Sequence, residues 1–401
     1  MGKKLKVAFM DYPLEPDKPG RSGLSDVIWD MAKALIDQGH EAHVVGCYHT
    51  DSFPDPRVIV HDFPEPPIGY RNIVGQMWLL NRAGNIIKQI EPDIVHAPEY
   101  VATALFSMKK LNCPIVLTVP GNIFQRIEAG HGFDWSFVEV LKWAARRTAK
   151  TCDAILCISQ EMKLWWERTG SHPQKTPWIP YGIDTKRFYP VADARHRLGI
   201  SEDENLLLYV GRFSPEKGIL ELLDALAQQP DLLNQPFKLV LIGKGALESE
   251  IRHHIGHLEL ENQVSIMPWV AQDDLKLWYS AANVLLMPSW NEPLGKVFLE
   301  AMACGTPVIA SDTEGPKDHV QIGKTGFLFP VHDVPALSNM LRIAIMQPET
   351  LTQMKDASLA YVENNLTWSQ IMRCIVNDVY LPLINKEPLQ AIDWRRDEVA
   401  A

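Results

Sequence analysis

Short apolar runs alternate with helix-period stretches along this chain, and that alternation restricts the fold more than any other feature. Lys6–Met10 reads as a strand, followed by a loop of turn formers, Asp11–Gly23. A helix follows from Ser25 to Gln38, with Val27, Met31, Ala34 and Leu35 on one face and Gly39 as its stop. Glu41–Val45, Asp93–His96, Ile115–Val119 and Ala154–Ser159 read as further strands, the last leading into a helix from Glu161 to Arg168. Ile179–Pro190 (IPYGIDTKRFYP) concentrates turn signals and reads as a linker. Beyond it the pattern restarts with strands at Asn205–Val210, Lys238–Ile242, Val264–Met267, Val284–Met287 and Pro307–Ala310, and a helix at Ile219–Ala227. Strands alternating with helices require a parallel sheet covered on both faces. A chain of 401 residues exceeds what one core usually holds, so two doubly wound α/β domains are expected in sequence. Their predicted limits are residues 1–185 and 186–367. The stretch from Trp368 to Leu381 reads as helical, and residues 368–401 are expected to form a C-terminal helix and tail packed back on the first domain, although the local pattern does not give that destination.

Hydrophobic residues make up 46% and charged residues 22%, a balance that gives a globular chain rather than a disordered one. There is no apolar run of about 18 residues to span a bilayer, and Val7–Met10 is too short for the core of a signal peptide. The six cysteines form no CxxC pair and read as free thiols of a reducing compartment, which predicts a cytoplasmic location. The net charge of −10 argues against general nucleic-acid binding. Residues 1–185 carry 20 basic and 21 acidic side chains and the remainder 19 and 28, so the first half is the better candidate to meet an anionic partner. Of His253, His254 and His257, the first and last lie one helical turn apart as metal ligands could, but the three read as a solvated helix face.

The densest chemistry lies in Pro288–Ser311 (PSWNEPLGKVFLEAMACGTPVIAS). Pro293, Leu294 and Gly295 predict a turn, and a helix is expected from Lys296 through Val297, Phe298 and Leu299. Unpaired N–H groups at such a start, with the helix dipole behind them, favour a phosphate. Glu292 on the entry loop can accept hydrogen bonds from sugar hydroxyls. Glu300, about one turn inside, can accept two from a ribose diol. Arg212 and Lys217 directly follow a strand. Taken alone, two basic residues on such a loop read as solvated side chains.

This segment resembles the donor-binding signature of retaining glycosyltransferase family 4. Leu208–Gly218 (LYVGRFSPEKG), Lys238–Gly245 (KLVLIGKG), Leu277–Ser289 (LWYSAANVLLMPS) and Gly323–Pro330 (GKTGFLFP) match further blocks of that family, in order. The resemblance covers most of the second half and only the outline of the first. It implies the GT-B fold, two Rossmann-like domains facing across a cleft, the first binding acceptor and the second a nucleotide-sugar donor. It implies that Arg212 and Lys217 bind the diphosphate and that Glu292 positions the sugar, all three as catalytic residues. Gly23, Gly211, Leu294, Gly295, Lys296, Val297 and Glu300 are then donor-binding. No DxD carboxylate pair is present, so no metal and no cofactor beyond the nucleoside-diphosphate sugar are expected.

In the first half, the Ser22-Gly23 pair stands where the family usually has two glycines, and the helix start there suits an anion. His96, at a strand's carboxyl end, and nearby Glu99 are candidate contacts to acceptor or sugar. Pro120, in Thr118–Asn122, replaces a histidine that many members carry. The helix around 141–150 sets Lys142, Arg146, Arg147 and Lys150 beside Trp143, a face that could meet anionic lipid at the inner membrane surface. The predicted activity is retaining transfer of a hexosyl group to a hydroxyl acceptor such as a glycan, a lipid-linked saccharide or a small molecule. UDP-sugar is the first choice of donor and GDP-mannose the second. A nucleotide-sugar epimerase or hydrolase, and a non-catalytic sugar-nucleotide-binding subunit, remain as alternatives.

Overall fold

The structure is a computed structural model that describes residues 3–11, 23–46, 55–64, 73–97, 111–118, 135–392 and 394–395. The chain divides into two compact units: Met1–Gly182 together with Trp368–Ala401, and Ile183–Thr367. Among the described residues each unit is built on one six-stranded sheet in which all pairs run parallel.

In the first unit the strands are β1 (Lys6–Asp11), β2 (Glu41–Gly46), β3 (Ile59–Asp62), β4 (Ile94–Ala97), β5 (Ile115–Thr118) and β6 (Ala154–Leu156), in the order β3-β2-β1-β4-β5-β6. Val7, Ala8, Phe9 and Met10 of β1 are all buried, because a central strand of such a sheet is covered on both faces and must be apolar along its length. The Gly23–Asp37 helix packs on β1 and β2 and also meets the Trp368–Ile375 helix. Gly39, with φ of +87°, closes the first of these by donating its N–H to Ile36 O. Ser159 caps the Gln160–Thr169 helix through a bond from Met162 N to its Oγ (3.2 Å).

After Thr367 the chain rejoins the first unit. A Cβ on Gly182 would lie 2.6 Å from Trp368 Cα, so only glycine lets the two segments pass so closely. Beyond the Trp368–Ile375 helix, a π-helical turn, Val376–Tyr380, buries Tyr380. The five described cysteines, Cys113, Cys152, Cys157, Cys304 and Cys374, are all unbridged.

The second unit carries β7 (Asn205–Val210), β8 (Phe237–Ile242), β9 (Val264–Met267), β10 (Val284–Met287), β11 (Val308–Ser311) and β12 (Gly326–Phe329), ordered β12-β11-β10-β7-β8-β9. Every residue of β7 and β10 is buried, whereas the edge strands β9 and β12 are only partly so. No helix among the described residues is long and apolar enough to cross a membrane.

At the edge of the first sheet, β2 and β3 hold a chain of polar groups. His43 Nε2–H donates to Glu41 Oε1 (2.8 Å), which leaves His43 Nδ1 to accept from His61 Nε2–H (2.8 Å). The two imidazoles are nearly coplanar, 15° apart. Burial first, and then the neighbouring His43, hold the His61 imidazole below its ordinary value. A histidine whose folded value is depressed favours the fold above the ordinary value and loses that contribution as pH falls below it. Lowering the pH from about 7.5 to 5.5 is therefore expected to lower the urea midpoint of the wild type. The H61N variant should show a smaller decrease over the same range, measured by tryptophan fluorescence.

Candidate functional site

In the second unit β7 pairs with β8 on one side and with β10 on the other. The chain leaves β7 toward β8 and returns later to lay β10 on the opposite flank. That reversal is a topological switch point, and in open parallel sheets ligands bind beyond the carboxyl ends of the strands at such a point. Two loops leave the sheet there, one running from Gly211 to Gly218 after β7 and one from Pro288 to Gly295 after β10. Their backbones are in direct contact. A Cβ on Gly218 would sit 2.1 Å from Pro288 O, and Gly218 takes φ of +65°, so a side chain is excluded there on both counts. Trp290 N–H donates to Glu216 O (2.8 Å), a second tie between the loops.

The side chains complete the junction. Lys217 Nζ lies 2.6 Å from Glu292 Oε2, with 18% and 16% of the two side chains exposed. That exposure is low enough for the pair to act with less solvent screening than a surface bridge. Pro215–Lys217 is a single 3-10 turn, and it swings Lys217 inward. Arg212, five residues earlier, does not follow it. Its guanidinium side chain is 72% exposed and touches Glu216 Oε1 at 3.5 Å. Glu216 is held in turn by Ser214 Oγ (2.7 Å). Of the two basic residues of this loop, Lys217 is thus largely buried at the junction and Arg212 largely exposed.

Three residues past Glu292, Gly295 takes φ of +82° and opens the Lys296–Ala303 helix with no side-chain cap. Helix geometry points the N–H groups of Lys296 and Val297 outward from that start. Gly295 is packed between Phe298 and Glu292 Cγ, while Gly315 N–H donates to Glu292 O (2.9 Å) and Gly315 sits against Leu294. Glu300 lies one turn into the helix and is buried, accepting from Tyr279 Oη (3.1 Å). Burial, then the charge of Glu300, pushes the Tyr279 phenol up, so it stays protonated and remains a donor. Gly211 donates its N–H to Ile242 O (3.0 Å) and joins the β7 loop to the end of β8. The donor-site candidates of the second half thus gather at one end of one sheet, with the Arg212 side chain largely exposed there.

Of the first-half candidates, only Gly23 and His96 lie among the described residues. Gly23 is the first residue of the Gly23–Asp37 helix. Glu99 and Pro120 lie outside the described residues. His96 ends up fully buried, with Nδ1 at 2.5 Å from Tyr380 Oη and Nε2 at 2.5 Å from Thr118 Oγ1, and its ring stacked on Phe9. Burial pushes its imidazole down to about 3, so it is neutral. With both nitrogens engaged inside the first unit, His96 braces the ends of β4 and β5 instead of presenting a free ring. On the Trp135–Thr151 helix, Trp143 is 47% exposed, and Arg146 and Lys150 are exposed on the same side.

Residue-level reading missed several members of the site. Tyr279, Gly315, Trp290, Glu221 and His332 each meet it through contacts between distant segments. Trp290 lies inside the signature segment and could have been singled out as a large aromatic on the loop before the predicted helix.

Comparison with known proteins bears on this geometry. The family profile described as Glycosyl transferases group 1 matches residues 191–360, and that described as Glycosyltransferase Family 4 matches residues 21–187. A D-inositol 3-phosphate glycosyltransferase of Streptomyces coelicolor is 32% identical over 79% of this chain and 74% of its own. In a relative of the same name from Streptomyces scabiei, 34% identical, the match spans about half of each protein, 48% of this chain and 46% of the other. Among solved structures, a sucrose-phosphate synthase from Thermosynechococcus elongatus superposes with a TM-score of 0.81 at 24% identity, covering 96% of this chain and 100% of that one. HepE of Anabaena, in complex with UDP and glucose, gives 0.74 at 22% identity, covering 93% and 98%. At those identities the structures speak for the fold, whereas the two profiles and the relative from S. coelicolor speak for descent: the chain belongs to glycosyltransferase family 4, with the two Rossmann-like domains of the GT-B fold.

Proposed function

We propose that the chain transfers a hexosyl group, with retention at the anomeric carbon, from a nucleoside-diphosphate sugar to a hydroxyl acceptor. The second unit binds the donor and the first the acceptor. One observation carries this reading: Lys217 and Glu292 in contact at 2.6 Å beside the uncapped start of the Lys296–Ala303 helix. The donor's diphosphate sits on the first-turn N–H groups of Lys296 and Val297, where the helix dipole favours an anion. Lys217 has three protons to donate, so it can hold Glu292 with one and a phosphate oxygen with another. As the bond from sugar to diphosphate breaks, negative charge grows on the β-phosphate, and a fixed cation there stabilises the transition state more than the ground state.

Glu292 accepts from hydroxyls of the transferred sugar, and Glu300 from the ribose. Leu294, Gly211 and Gly295 shape the backbone around the phosphates. Gly23, at the start of a helix in the first unit, is assigned to the donor on the family pattern alone. Arg212 is the second cation. Its contact with Glu216 is long and solvent-exposed, the kind that is worth little and yields readily to a phosphate. The acceptor attacks the face that the diphosphate leaves, through an oxocarbenium-like state, and the leaving phosphate takes its proton.

UDP-sugar is the first choice of donor and GDP-mannose the second. The relatives named for D-inositol 3-phosphate make a phosphorylated polyol a useful member of an acceptor panel. The cationic side of the Trp135–Thr151 helix, with exposed Trp143 among Lys142, Arg146, Arg147 and Lys150, supports weak docking to an anionic membrane surface.

Substituting K217A is expected to cut transfer from the preferred donor by about 10²-fold or more with the fold intact by circular dichroism, and R212A to cut it less. Full turnover in both variants, or product formation that needs no acceptor, would reject the assignment. Proton NMR of the product should show the donor's anomeric configuration, and inversion would refute retention. Turnover should persist after dialysis against EDTA. The wild type should co-sediment with vesicles containing anionic lipid at low salt, and the K142E/R146E/K150E variant should not.

A further inference from the structure

Beside the Lys217–Glu292 junction lies a cluster that the proposed chemistry does not use. Glu221, in the first turn of the Ile219–Ala227 helix, accepts from two aromatic N–H groups at once: Trp290 Nε1 at 3.0 Å on Oε2, and His332 Nδ1 at 2.8 Å on Oε1. The Trp290 and His332 ring centroids are 4.7 Å apart. His332 takes φ of +62°, a left-handed conformation that a histidine adopts only at a cost. It stands directly before Asp333, whose carboxylate caps the Val334–Met346 helix by accepting from Ala336 N.

Three segments beyond the carboxyl ends of β7, β10 and β12 therefore meet on one carboxylate. Trp290 is two residues from Glu292, and its backbone N–H is bound to Glu216 O, next to Lys217. With Trp290 held at both its side chain and its backbone, the loop has little freedom to carry Glu292 away from Lys217.

We propose that Glu221 is a positioning residue for the donor site: through Trp290 and His332 it fixes the Pro288–Gly295 loop, and so sets Glu292 against Lys217. This inference rests on the donor reading given above.

The chemistry of the carboxylate supplies a discriminating test. Oε1 of Glu221 accepts from His332 Nδ1–H whether the imidazole is neutral or protonated, because Nδ1 can carry a proton in both states. An amide in its place must use its carbonyl oxygen for Trp290 and its NH2 for His332, which must then accept at Nδ1. Only neutral His332 can do so. The E221Q variant should therefore hold the loop at alkaline pH and release it when acidification protonates His332. The other charged groups on the joined segments are Arg212, Glu216, the Lys217–Glu292 pair, Asp224, which is bonded to His254, and Asp333, and all of them are retained in the variant.

The experiment uses the full chain, with UDP and GDP as probes in calorimetric titration and hydrogen exchange followed at the 289–292 amides. E221A is expected to weaken binding of the preferred nucleotide at least tenfold and to raise exchange of the Trp290 amide at least tenfold. At two pH values on either side of the ordinary histidine range, about 8 and about 5, E221Q should lie nearer the wild type at the higher and nearer E221A at the lower, while the wild-type ratio between those pH values is smaller. Binding and exchange within twofold of wild type in E221A would overturn the proposal. So would loosened exchange with unchanged affinity, or an E221Q that behaves like E221A at both pH values. If the wild type bound neither nucleotide, the donor reading would fall, and the exchange comparison alone would still decide whether Glu221 holds the loop.

Discussion

Between Gly218 and the carbonyl of Pro288 there is no room for a side chain, and the candidate site of the second unit depends on that close fit. It brings the loop after β7 and the loop after β10 into backbone contact at the switch point of the sheet. Once the backbones are so near, a lysine one residue before Gly218 and a glutamate four residues after Pro288 meet at 2.6 Å. The pair is largely shielded from water, so it holds its geometry better than a surface bridge would. Gly295 then turns the chain through a left-handed residue, and the helix that follows starts with its N–H groups uncapped. The cation, the carboxylate and the uncapped helix start are thus brought together by one tight junction.

The two units put polar groups to different uses at their strand ends. In the second, Lys217, Glu292 and the first turn of the Lys296–Ala303 helix keep partial access to solvent. In the first, His96 and Thr118 at the ends of β4 and β5 are sealed by Tyr380, delivered by a π-helical turn of the C-terminal segment. A wide helical turn of this kind displaces one residue from the regular ladder, and here it sets a phenol against an imidazole. Those buried hydrogen bonds fix the strand ends from which the undescribed segments of the first unit depart.

Much of this was legible in the sequence, for a physical reason. Central strands covered on both faces must be apolar throughout, so Lys6–Met10, Asn205–Val210 and Val284–Met287 stand out as runs. The strands that reading overlooked, Ile59–Asp62 and Gly326–Phe329, are both edge strands with partly exposed residues, where the apolar signal breaks up. Glu292, Gly295 and the helix start were readable because a turn and a helix are local. His96 looked like a ligand contact because its strand position suggests one. Its burial depends on Tyr380, 284 residues away, which no local pattern contains. The different exposure of Arg212 and Lys217 is equally hidden, since it depends on contacts with Glu216 and with Glu292, the latter 75 residues away in sequence.

The donor reading requires a nucleoside diphosphate to rest on the amide groups that open the Lys296–Ala303 helix. A crystal structure of the chain with its preferred nucleoside diphosphate tests it most directly. β-Phosphate oxygens within hydrogen-bond distance of Lys296 N, Val297 N and Lys217 Nζ are the predicted result. A diphosphate bound elsewhere, with that helix start and Lys217 facing only solvent, would contradict it.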